Sequence, residues 1–165
     1  MQPGSPAKAI LIGGLMAGTC DITAACVQYY ALRGVGPVRI FQSVASGLLG
    51  ADAFTGGART AALGLGLHFF IAFVWTVVFV LASRRLSLLR MQPLAVGAVY
   101  GIVVFIVMHF AVLPLSAVAK RPINPAMAAI QVVIHIVCIG WPIALAARRW
   151  AWHPEMAGFQ GRERV

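Results

Sequence analysis

Acidic residues are almost missing from this chain: Asp and Glu number 4 among 165 residues, against 13 Lys and Arg. Charged residues of both signs make up only 10%, where a soluble domain carries about 25%. So little charge cannot coat a water-facing surface, which excludes an ordinary soluble globular domain. Hydrophobic residues reach 61% and the mean hydropathy is +0.89. Disorder is thereby excluded too, because it needs low hydrophobicity and high charge. Cysteine is scarce: Cys20, Cys26 and Cys138 all lie inside apolar segments. An odd number in such positions implies no disulfide framework, and the three read as small buried hydrophobes. Enzyme signatures are missing as well. No GxSxG, P-loop, HExxH or CxxC occurs, Asp52 and Glu155 are isolated, and Ser43 and Ser46 have no adjacent base. The chain does not read as an enzyme.

What is present is an integral membrane protein. A transmembrane helix needs about 20 mostly apolar residues, and four stretches qualify: about 9–32, 60–83, 93–115 and 126–147. They are apolar all round, whereas a spanning strand alternates apolar and polar residues. The fold class predicted is therefore all-α, a four-helix transmembrane bundle occupying residues 1–152, followed by a polar tail at 153–165. The first segment has features of a cleaved signal, with Lys8 before an apolar run and small residues near Cys20 and Cys26. It is long for a signal core, and Asp21 interrupts it, so it reads as a retained span.

The net charge of +9 would suggest nucleic acid in a soluble protein. Here the basic residues cluster at the ends of apolar runs, as Arg84, Arg85, Arg148 and Arg149 do. They are topology signals and headgroup contacts, and no nucleic-acid partner is implied. With four spans, one side holds Lys8, Arg84, Arg85, Arg90, Arg148, Arg149, Arg162 and Arg164. The other holds Arg33, Arg39, Arg59, Lys120 and Arg121. The positive-inside rule places both termini in the cytoplasm. Trp150 and Trp152 are expected to anchor the inner end of the fourth span, and Tyr29 and Tyr30 the outer end of the first.

The first loop, the only long one, carries an extra helix over Pro37–Leu49, with Pro37 suited to the first turn and Gly50 to the stop. Val38, Phe41, Ala45, Leu48 and Leu49 share one side, and Arg39, Gln42, Ser43 and Ser46 the other. The pattern predicts an amphipathic helix lying on the outer interface, as a lid over the bundle. The stretch Asp52–Arg59 reads as a flexible return. A weak internal repeat is visible. Spans one and three carry the GxxxG pairs Gly14/Gly18 and Gly97/Gly101, and spans two and four each carry a histidine and end on a double arginine.

The informative residues are Asp21, His68, His109 and His135, one per span. A carboxylate at the centre of a spanning helix costs about 2.5–3.5 kcal/mol on insertion scales. It is expected to face the bundle interior. Gly14, Gly18, Asp21 and Ala25 form one helical stripe, as do Ala61, Gly64, His68 and Ala72. Ala128, Gln131, His135 and Cys138 form the most polar one. Counted from the outer ends at about 1.5 Å per residue, the four polar residues fall roughly 9–17 Å deep. The preferred reading is a structural hydrogen-bonded layer in a protein that acts by packing with itself or with a larger membrane complex, through the Gly14/Gly18 and Gly97/Gly101 faces. The alternative is an outward-facing site for a metal, haem, proton or small solute, with Asp21, His68, His109 and His135 as candidate ligands. No cofactor is specified by the sequence.

Three stretches taken together, GGLMAG (Gly13–Gly18), VMHFAVLPLSAV (Val107–Val118) and IHIVCIGWPIALAARRW (Ile134–Trp150), resemble the YagU-type small bacterial inner-membrane proteins. The similarity covers the spans and not the first loop. It implies four helices and a bacterial inner membrane, and carries over no catalytic or binding residue.

Overall fold

The computed structural model describes residues 5–86, 88–119 and 124–151. The polar tail at 153–165, Trp152, and the loop basics Lys120 and Arg121 lie outside the described residues. Within them the chain is helical. Four helices are long and apolar enough to cross a membrane: α1 (Pro6–Arg33), α3 (Gly57–Arg85), α4 (Pro93–Leu115) and α5 (Pro125–Ala151). A shorter α2 (Pro37–Leu49) connects α1 to α3, with a 3-10 turn at Gly50–Phe54. Prolines stand at the starts of α1, α2, α4 and α5, where the missing N–H costs nothing. Ser5 caps α1 by accepting the Lys8 N–H, and the Asn124 side chain caps α5 by accepting from Ala126 and Met127.

The long helices bury little of themselves in the chain. Between 22% and 28% of each apolar window is buried, and Leu11, Phe70, Val99 and Phe110 are more than half exposed. Helices apolar all round with so much surface left uncovered suit a hydrocarbon surround. The buried core lies where α1 begins and α3 ends, and that end is closed. Ala9 and Ala17 of α1, Phe79 and Val80 of α3, Val104 of α4, and Ile143, Ala144 and Ala147 of α5 form one cluster. The N-terminus is tied there by the Ser5 N–H donating to Trp150 O at 2.8 Å. Tyr100 joins α4 to α3, its hydroxyl donating to Trp75 O at 2.6 Å and its ring edge-on to Phe79.

Small residues set the contacts. A Cβ on Gly14 would strike Phe73, and one on Gly18 would come within 2.7 Å of Phe69. A Cβ on Gly97 would lie 2.9 Å from Gly140 O, and one on Gly101 2.6 Å from His135 O. Gly14/Gly18 therefore receives α3, and Gly97/Gly101 receives α5. Both faces thus make contacts within the chain. The contacts also express the internal repeat. His68 abuts Gly18, and His135 abuts Gly101.

Helix α2 has the expected limits, and part of its polar side is buried. Gln42 and Ser46 are buried, with Ile40 and Ala45, while Val38 and Leu48 are 56% and 64% exposed. The reason is its neighbour. α2 lies on the first turns of α3, where Gln42 Nε2 donates to Gly57 O at 3.1 Å, and Gly64 admits the Phe41 backbone. The return at Asp52–Arg59 runs from the end of the 3-10 turn into the first residues of α3, and the Arg39 guanidinium sits 4.1 Å from the Phe54 ring centroid.

Two wide turns interrupt the later helices. Leu113 N–H donates to Met108 O, and Trp141 N–H to Ile136 O, both five residues back. Each precedes a proline. Pro114 and Pro142 lack an N–H for the carbonyls of Phe110 and Cys138 and crowd them, and a π-helical turn absorbs the conflict. His109 and His135 fall inside these turns.

Candidate functional site: a polar cavity at the open end

At the end where α1 stops and α3 begins, the long helices part. They enclose a cavity of about 870 Å³. Asp21, His68, His109 and His135 all line it, so the structure brings together the residues that the sequence singled out on separate helices. Gln131 and Ala128 of α5 line it too, with Ser43, Val44 and Gly47 of α2 along one edge. The apolar wall includes Trp75, Phe105 and Phe110. On α1 the lining runs from Asp21 to Arg33, about 18 Å at 1.5 Å per residue. Tyr29 turns into the cavity, whereas Tyr30 is 67% exposed. Of the two expected anchors, one is therefore a wall residue.

Two of the histidines are fixed by backbone carbonyls. His68 Nε2 lies 2.8 Å from Gly18 O, and His135 Nδ1 lies 2.8 Å from Gln131 O, one turn earlier on its own helix. His109 stacks on Phe105 at 5.3 Å between ring centroids, and Phe105 meets His135 edge-on at 5.6 Å. Gln131 Nε2 donates to Gln28 Oε1 at 2.8 Å, joining α5 to α1. The Gln28 Nε2 group is buried without a partner among the described residues. Cys138 is buried, facing Cys20 and Asp21 of α1 rather than the cavity.

The four candidates share a cavity but not a coordination sphere. Among the described residues no three His, Cys, Asp or Glu side chains gather closely enough to hold a metal ion. Haem ligation by His68 and His135 fits poorly as well. His68 commits Nε2, the nitrogen that reaches furthest from its backbone, to Gly18 O. Sequence reasoning missed Gln28 and Phe105. Gln28 was within reach, since it continues the stripe Gly14, Gly18, Asp21, Ala25 by one more step of three. Phe105 sits four residues before His109, but in an apolar run nothing marked it.

The fold and cavity define the class: among the described residues, an all-helical protein with four membrane-length helices around a largely apolar pocket that carries a few polar groups. Set against protein-family models, curated proteins and solved structures, the chain matches none.

Proposed function

We propose that this chain is a multi-pass protein of a bacterial inner membrane that binds a small solute in a cavity opening toward the outer face. Both termini are cytoplasmic in this reading, supported by the excess of Lys and Arg at the closed end. The observation that carries it is the cavity itself. Each long helix contributes an ionisable residue, Asp21, His68, His109 or His135, to the same space. Ionisable groups at such depth are costly and mark ligand or ion paths. The walls, apolar with a few placed polar groups, have the composition of small-molecule sites.

The competing reading, a purely structural layer in a protein that acts by packing, is favoured by the His68 and His135 bonds to carbonyls. The two readings differ in what filling the cavity does. Ala128 is a half-buried wall residue, and Ala128→Trp places an indole in the space. Equilibrium dialysis of the detergent-purified protein with tryptophol, a neutral apolar probe, is expected to show saturable binding that Ala128→Trp abolishes. Equal binding by both proteins, or none by either, leaves the layer a packing device.

A further inference from the structure

The cavity carries several unused hydrogen-bond acceptors. A backbone carbonyl only accepts, so His68 carries its hydrogen on Nε2 and His135 on Nδ1. The neutral rings then keep lone pairs on His68 Nδ1 and His135 Nε2. The Ser43 and Ser116 hydroxyls donate to Ile40 O and Leu113 O, both at 2.7 Å; Ser43 keeps its oxygen lone pairs, and Ser116 already accepts from the Val118 N–H at 3.4 Å. Asp21, an acceptor when ionised, takes no hydrogen bond and no ion pair from any described residue. Hydrogens are offered by Trp75, Asn124 and Gln131, and by Tyr29 and Arg33 toward the mouth on α1, but none of them bonds Asp21. Arg33 is about 18 Å along the helix from Asp21, too far to neutralise it.

The complement of such a surface is a cation rich in N–H. A primary ammonium group supplies three donors and one charge. The aromatic walls Trp75 and Phe105 suit both its charge and an apolar body attached to it. A metal ion meets the same charge but needs donors that converge, and no three of the ligating side chains do. We propose that the cavity binds a primary amine carried on an aromatic or aliphatic body, with the ammonium held at Asp21 and the body against Trp75 and Phe105. This rests on the solute-binding reading above and names the chemical class of the solute.

The test uses three probes that share one ring and differ in charge: tryptamine, tryptophol and indole-3-acetate. Each is dialysed against the full chain in dodecyl maltoside, with empty micelles subtracted. Tryptamine is expected to bind at least tenfold tighter than tryptophol, and indole-3-acetate weakest. Asp21→Asn keeps the size of the side chain and removes its charge. It is expected to erase the tryptamine preference and leave tryptophol binding unchanged, while Asp21→Glu keeps the preference. The proposal is overturned by indole-3-acetate binding tightest, by tryptamine binding no tighter than tryptophol, or by a preference that survives Asp21→Asn. Tryptophol separates the two levels. If it binds saturably without any charge preference, only the amine assignment falls. If no probe binds, the cavity reading falls with it.

Discussion

Gly101→Ala adds one methyl group at a close crossing of α4 and α5. The new Cβ would lie 2.6 Å from His135 O, 2.7 Å from Ile136 Cα and 2.8 Å from His135 C. All three are backbone atoms, so no rotamer change relieves the clash. To reach an ordinary separation of about 3.5 Å or more between non-bonded atoms, the helices must part by most of an ångström. Overpacking of this kind costs about 1–3 kcal/mol. The same substitution at Gly66 of α3, where nothing lies within 4 Å of the added Cβ, is a gain of up to about 1 kcal/mol in helix propensity. The two variants therefore separate by about 1–4 kcal/mol with identical chemistry. Thermal unfolding of both, purified in the same detergent, is the assay. The Gly101 variant is expected to melt below wild type and the Gly66 variant at or above it. If Gly101→Ala melts no lower than Gly66→Ala, the α4–α5 contact is not the close crossing described, and the placement of His135 beside it fails too.

Two further perturbations probe the closed end and the cavity's edge. Tyr100→Phe removes the hydroxyl that donates to Trp75 O at 2.6 Å, and a loss of about 0.5–1.5 kcal/mol in unfolding free energy is expected, with tryptophol binding unchanged. An unaltered melting curve would show the bond to be inert. Gly50 ends α2 at φ 59 and ψ −139, a backbone region nearly closed to other residues. Gly50→Ala is expected to cost about 1–3 kcal/mol in strain, read as faster amide hydrogen exchange across α2. Exchange at the wild-type rate would refute the turn geometry.

The long helices were legible because hydrocarbon selects for one property, sustained apolarity over membrane length, and local sequence records it directly. The predicted limits 93–115 match α4, and Pro37 with Gly50 delimited α2. The facing of α2 was not legible. The pattern marks two sides but not which of them meets α3, and Leu48 is 64% exposed whereas Gln42 is only 5% exposed. Against the first turns of α3 the inside supplies polar groups, Gly57 O and Thr60 Oγ1, so the amide turns in and the leucine turns out. The wide turns were missed for another reason. Pro114 and Pro142 announced that the hydrogen-bond ladder must break, but not how the break would be absorbed.

The asymmetry between the two ends follows from where the small residues fall. Within each hairpin, glycine pairs draw α3 onto α1 and α5 onto α4. At the closed end the two hairpins also meet through small side chains. A Cβ on Gly13 would sit 3.1 Å from Ala146 Cβ and 3.1 Å from Thr76 Cγ2, so α1 presses on α3 and α5 together. Toward the open end that seam stops. Above Gly18, the face of α1 presents Asp21, Gln28, Tyr29 and Arg33 instead of glycine, and its link to α5 is the Gln28–Gln131 amide pair rather than backbone contact. The π-helical turns lie at different levels: that of α4 begins at Met108, beyond the Gly101 crossing, whereas that of α5 runs from His135 to Gly140 alongside Gly101 and Gly97. The cavity is edged by α2, which the Ala117 N–H ties to the loop after α4 by donating to Gly47 O at 2.9 Å. Each histidine that abuts a crossing glycine, His68 at Gly18 and His135 at Gly101, thus stands at the boundary between the closed half and the cavity. The same packing step that closes each hairpin delivers a ring with one committed nitrogen and one lone pair to the cavity wall.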